Sequence, residues 1–160
     1  MKQETIIGTI LKSRRREPYI RISAKTNMNR DKMIDAMEAK TLEIYNANKD
    51  YQANGKRGMM VAQVRSKKYP DRWESTILAF GAMYSGGFSF DTTIHEKIAY
   101  VRRTGKNSGV PKEEVVGTES FWEGAVISDD GNCICAFSGF AGTDDILIAE
   151  AGIAEYHSQL

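Results

Sequence analysis

Two histidines, His95 and His157, and two cysteines, Cys133 and Cys135, are the side chains of this 160-residue chain best suited to bind a metal or move a proton near neutral pH. His95 sits one residue beyond Ile94, beside the apolar stripe of a helix predicted over about 91–103, at the edge of a potential pocket. There it would serve as an axial ligand to haem iron or as a general base. A partly exposed helical histidine is the plainer reading. His157 lies one turn beyond Ile153, near the end of a predicted closing helix, and carries the same plainer reading. Cys133 and Cys135 face the same side of a predicted strand. With no second Cys/His pair in sequence they cannot complete a structural zinc site, so buried, inert thiols are expected.

Other motifs are weaker. The loop Ser138-Gly139-Phe140-Ala141-Gly142-Thr143 before a helix invites phosphate, but it matches neither the P-loop nor the three-glycine dinucleotide spacing. Asp144 and Asp145 follow it at the positive end of the helix and would repel an anion. There is no Gly-x-Ser-x-Gly elbow and no His-Glu-x-x-His, and the carboxylates are scattered. Whether the chain is an enzyme stays open.

Composition narrows the partners. Twenty-two basic against 21 acidic residues leave a formal charge of +1, so nothing supports nucleic acid as a partner. No run approaches the roughly eighteen apolar residues of a membrane span. The first residues lack the apolar core of a secretory signal, and two cysteines are too few for a disulfide framework, so a cytoplasmic setting is expected.

The elements that would position these residues follow in the order ββ-α-ββ-α-ββ-α. Strands are predicted at 4–11 and 19–24, joined by a charged turn with three arginines, Arg14 to Arg16. Asn29 is the expected cap of a helix from about Arg30 to Asn46, and a polar loop is expected from Asn48 to Arg57. Strands at 58–66 and 74–82 form a hairpin. A helix over 91–103 follows, with Ile94, Ile98 and Val101 as its stripe and Lys97, Arg102 and Arg103 outside it. Ser128-Asp129-Asp130-Gly131-Asn132 turns a last hairpin, and Thr143 is the expected cap of the closing helix. Short turns between paired strands predict an α+β fold, a single domain over 1–160 in which one antiparallel sheet is covered by helices.

The final segment is the most specific. Glu123-Gly124-Ala125-Val126-Ile127, Asp130-Gly131, Ser138-Gly139 and Ile148-Ala149-Glu150-Ala151-Gly152-Ile153-Ala154 resemble the C-terminal signature of the GlcG-like family, often labelled haem-degrading. That family includes the haem-binding sensor HbpS and the C-terminal domain of PduO-type proteins. The helices around Thr93 to Tyr100 and Met33 to Ile44 resemble its middle and first helices. The hairpin at about 1–24 and the charged loops at 48–57 and 66–74 depart from it, and Phe121-Trp122 brings bulk where the family is often small. The resemblance implies profilin-like layering, self-association as a homo-oligomer, and binding of haem, a corrinoid or another small molecule. On that basis His95 is the candidate metal ligand, Lys97, Arg102 and Arg103 are candidate partners for propionates, and Trp122 is a candidate pocket wall. Two alternatives stand beside it. One is a small metabolic enzyme with its pocket between subunits, using His95 or Glu96 for acid/base chemistry. The other is a partner-binding scaffold using the hairpin at 1–24.

Overall fold

The computed structural model describes residues 19–23, 28–82 and 84–160. A five-stranded antiparallel sheet in the order β1-β3-β2-β7-β6 forms the middle layer. Its strands are β1 (Tyr19–Ser23), β2 (Gly58–Arg65), β3 (Trp73–Phe80), β6 (Ala125–Ile127) and β7 (Cys133–Ser138). Two very short strands, β4 (Tyr84–Ser85) and β5 (Phe88–Ser89), make a separate ribbon around Gly86 and Gly87. The helices are α1 (Met28–Ala47), α2 (Lys49–Ala53), α3 (Phe90–Thr104) and α4 (Gly142–Ser158). The expected α+β architecture is therefore present. Of the N-terminal hairpin, the strand at 4–11 and its turn lie outside the described residues. The strand at 19–23 pairs along β3, from Tyr19↔Phe80 to Ser23↔Thr76, at one edge of the sheet.

The central strands β2 and β7 explain why the sequence carries unbroken apolar runs there. Each is covered on both faces, and such strands need no polar alternation. Met60, Ala62, Cys133, Cys135 and Phe137 face a core completed by α1 and α4. Met59, Val61, Ile134 and Ala136 face the opposite core, completed by α3. Both cysteines are buried and free, as expected, and burial pushes the Cys135 thiol well above its usual range.

Local signals account for most element ends, with three corrections. Helix α1 begins at Met28, so Asn29 lies within its first turn rather than capping it. Instead of a plain loop after Asn48, the chain makes the one-turn helix α2, because the Asn48 side chain accepts from the N–H groups of Asp50 and Tyr51 at 3.0 and 3.1 Å. Helix α4 starts at Gly142, so Thr143 lies within its first turn and the cap position is Ala141, whose side chain makes no capping bond. The start of α3 was also set by a signal not anticipated: Ser89 Oγ accepts from the Thr92 N–H at 3.1 Å. Its end is as expected, with Gly105 at φ 67° closing the last turn.

Helix α4 packs closely on both α1 and β7, which requires its small face. A Cβ built at Gly152 would sit 2.6 Å from Cys135 Sγ and 2.8 Å from Met37 Sδ. Replacing it forces those two buried side chains apart. Gly152→Val should lose about 2 kcal/mol of stability through this overpacking, a fall of roughly 6 °C in Tm for a chain of this size. Thermal unfolding followed by circular dichroism checks it, and an unchanged Tm would show that the helices are not held this closely.

Candidate functional site

Lys97 stands three residues after Ile94 and four before Val101, so it shares the inward side of α3 with them. The expectation that it lies outside the apolar stripe is corrected by its burial, to 2% exposure. Asp145 shares the inward side of α4 in the same way, four residues before Ala149, and is also buried. These two charged side chains come from helices on opposite faces of the sheet, and they meet at the end of β7. Lys97 Nζ donates to Asp145 Oδ2 at 3.0 Å and to the Phe137 carbonyl at 2.9 Å. Asp145 Oδ1 accepts from the Phe140 N–H at 2.9 Å, which ties down the loop between β7 and α4.

The backbone passing over the pair must be bare. Gly124, at φ 115°, receives the Phe137 N–H on its carbonyl at 2.8 Å. A Cβ there would lie 2.6 Å from both Asp145 Cβ and the Phe137 carbonyl oxygen, and 3.0 Å from Lys97 Nζ. The Glu-Gly step at 123–124 is thus a packing requirement of the ion pair.

A cavity of about 990 Å³ opens above it, with Lys97 and Asp145 in its lining. That volume lies at the upper end of the range for small-molecule sites, roughly 300–1,000 Å³. Its apolar walls include Phe90, Phe121, Trp122 and Phe140. Phe121 and Trp122 stack on each other with ring centres 4.8 Å apart, and Trp122 is 56% exposed at the rim. Lys56, Arg57 and Glu123 supply charge around the opening. The segment carrying Lys56 and Arg57 follows α2, which is anchored by Tyr51. The Tyr51 hydroxyl donates to Asp144 Oδ2 at 2.5 Å and accepts from the Ala141 N–H at 3.0 Å.

Removal from water dominates the electrostatics of the floor. Burial lowers the Lys97 ammonium from its usual range, opposed by Asp145 and, more weakly, by Glu123. Burial likewise raises the Asp145 carboxyl to about 7, against the pull of Lys97 and of the Phe140 and Gly139 amides. Both shifts favour the neutral forms, the direction expected when a low-dielectric site strips solvent from an ion pair.

Of the candidate ligand residues His95, Lys97, Arg102, Arg103 and Trp122, the structure brings Lys97 and Trp122 to this cavity and leaves the other three outside its lining. Ser138 to Gly142, from the loop first read as a weak phosphate motif, also line it. His95 is 47% exposed, with Nδ1 turned back to Asp91, 2.8 Å from its carbonyl oxygen and 3.1 Å from its carboxylate. Arg102 donates to Gln63 Oε1 at 2.7 Å and lies over the Trp73 ring. Arg103 makes a two-bond contact with the Glu119 carboxylate, at 2.6 and 2.9 Å. His157 is exposed in the last turn of α4. Among the described residues no three His, Cys, Asp or Glu side chains gather as a metal site, and no helix is long and apolar enough to cross a membrane.

Fold and site together define an α+β protein with a five-stranded antiparallel sheet between helical layers and a cavity at the sheet's end. No protein-family model matches the sequence, and none of the curated proteins does. Among solved structures, the crystal structure of the Ybr137w protein is similar, with a TM-score of 0.54 and 17% sequence identity, over 86% of this chain and 82% of that one. At that identity the likeness is one of fold.

The buried pair predicts a pH-dependent defect. In Lys97→Met, Asp145 loses its counter-charge and escapes the cost of an unpaired buried anion only by taking a proton. Its folded pKa then lies further above its unfolded value, so stability falls as pH rises from the unfolded value upward. Urea unfolding should show Lys97→Met losing about 3 kcal/mol at pH 8 and clearly less at pH 5. Equal losses at both would contradict the pairing.

Proposed function

We propose that this chain binds a small organic acid with a flat, apolar body in the cavity above Lys97 and Asp145. The observation that carries the proposal is a buried, partnered lysine at the base of an aromatic-walled space. An ammonium has three protons, and the hydrogen bonds to Phe137 and Asp145 use two of them. The third can meet an oxygen of a ligand. Phe90, Phe121, Trp122 and Phe140 supply stacking faces for the body, and Lys56 and Arg57 supply positive charge at the opening for an anionic end. A few polar groups among apolar walls is the common character of such sites.

The tetrapyrrole suggested by the family resemblance belongs to this chemical class, with its propionates directed to Lys56 and Arg57. The cavity lining contains no His, Cys, Met or Tyr among the described residues. This favours contact through the ring and propionates over an axial bond from His95. Self-association, implied by the same resemblance, would bury the exposed ring faces of Trp122 and Phe88 at the rim.

Calorimetric titration with 2-naphthoate and with hemin tests the proposal. Saturable binding of at least one is expected, weakened about tenfold by Phe121→Ala or by Arg57→Ala, the equivalent of roughly 1.4 kcal/mol. His95→Ala should leave the affinity unchanged. Absence of saturable binding for both compounds, or equal affinity in the cavity variants, would overturn it.

A further inference from the structure

We infer that Lys97 is a covalent site for carbonyl compounds, condensing through its amine with the aldehyde or ketone group of a ligand seated in the cavity. The inference rests on the cavity being a small-molecule site and names the reactive class of its ligand. Three features of the geometry support it. Hydrogen bonds from Nζ to the Phe137 carbonyl and Asp145 Oδ2 use two of its three N–H groups and leave one for a ligand. A carboxylate 3.0 Å away stands ready to take a proton. The proton that moves to Asp145 leaves the lone pair on the side of that carboxyl, and a turn of the neutral amine about Cε–Nζ points it at the ligand. Lastly, Gly124 puts no side chain over the amine, where a Cβ would lie 3.0 Å from Nζ.

The proton and electron accounting closes within the site. Lys97 passes one proton to Asp145, and the neutral amine adds its lone pair to the carbonyl carbon while the C=O π electrons move to oxygen. The carbinolamine nitrogen gives up a second proton as its oxygen gains one. Asp145 then returns its proton to the hydroxyl, which leaves as water as the C=N bond forms. The product is a protonated imine beside the Asp145 carboxylate. Its positive charge replaces that of the ammonium, so the buried pairing survives the reaction. Burial, which lowers Lys97 and raises Asp145 toward neutrality, makes the first proton transfer easier than it is for a lysine in water. The remaining groups that act on the pair are the Phe140 and Gly139 amides, which donate to Asp145, and the Glu123 carboxylate; none of them is a donor to the amine.

The test uses 6-formyl-2-naphthoate on the whole protein near pH 7, followed by borohydride reduction and peptide mapping by mass spectrometry. The expected result is one saturable adduct at Lys97, formed at reagent concentrations that leave exposed lysines unlabelled and suppressed by 2-naphthoate. Lys97→Arg, which keeps the charge, should lose that adduct, and Asp145→Asn should slow its formation at least tenfold. Mapping of the wild-type protein decides the matter even if a variant fails to fold. Labelling spread over exposed lysines, with Lys97 unmodified, overturns the inference. If 2-naphthoate or hemin still binds by calorimetry, the small-molecule reading stands and the covalent step alone is wrong; if neither does, both fall.

Discussion

The Lys97–Asp145 ion pair is the constraint on which the arrangement of this protein's working end depends. Two charges taken out of water lose several kcal/mol of solvation each, and close pairing with further hydrogen bonds is what offsets the loss. Here the offset comes from four parts of the chain at once: α3 supplies the ammonium, α4 the carboxylate, β7 the Phe137 carbonyl and the following loop the Phe140 amide. Moving any of these by an ångström leaves a buried charge with fewer partners. The helical layers on the two faces of the sheet are thereby fixed relative to one another at a single point. That point lies under the cavity.

Such a pair is weak evidence for stability, because well-packed apolar residues could often do as well. Its position gives it another use. Burial beside a space large enough for a ligand raises the Asp145 carboxyl to about 7 and lowers the Lys97 ammonium, each toward its neutral form. A site of this kind can hold an acceptor atom in a fixed direction and exchange a proton over about one hydrogen-bond length. The aromatic walls present apolar faces to the cavity, and Gly124 sets no side chain against the pair.

Much of the fold was legible from the sequence for simple reasons. The apolar runs at Met59–Ala62 and Cys133–Phe137, bounded by turn signals, read as strands, and Asp130-Gly131 marked the turn between β6 and β7. Helix starts were less legible where the cap was Asn48, which sits in a polar stretch that reads as loop, or Ser89, which stands between two phenylalanines just after the Gly86-Gly87 break. The site was legible only in part. Trp122 stood out by its size. Lys97 fell at the helical spacing of Ile94 and Val101, and Asp145 at that of Ile148 and Ala149, but a charged residue at an inward position is ordinarily taken as a flank of the stripe. Only the tertiary pairing of two such exceptions, 48 residues apart, makes both intelligible. His95 misled because its neighbour Ile94 is buried, although successive residues on a helix point about 100° apart.

The ionisation of Asp145 itself tests the account most directly. Carbon-detected NMR can follow its side-chain carboxyl through a pH titration, with and without 2-naphthoate. A desolvated carboxylate at the floor of an occupied cavity should titrate near 7 in the free protein, and both its midpoint and its chemical shift should move when the ligand is added. A midpoint near 4, unmoved by the ligand, would mean that Asp145 is an ordinary solvated carboxylate and that the cavity has no working floor.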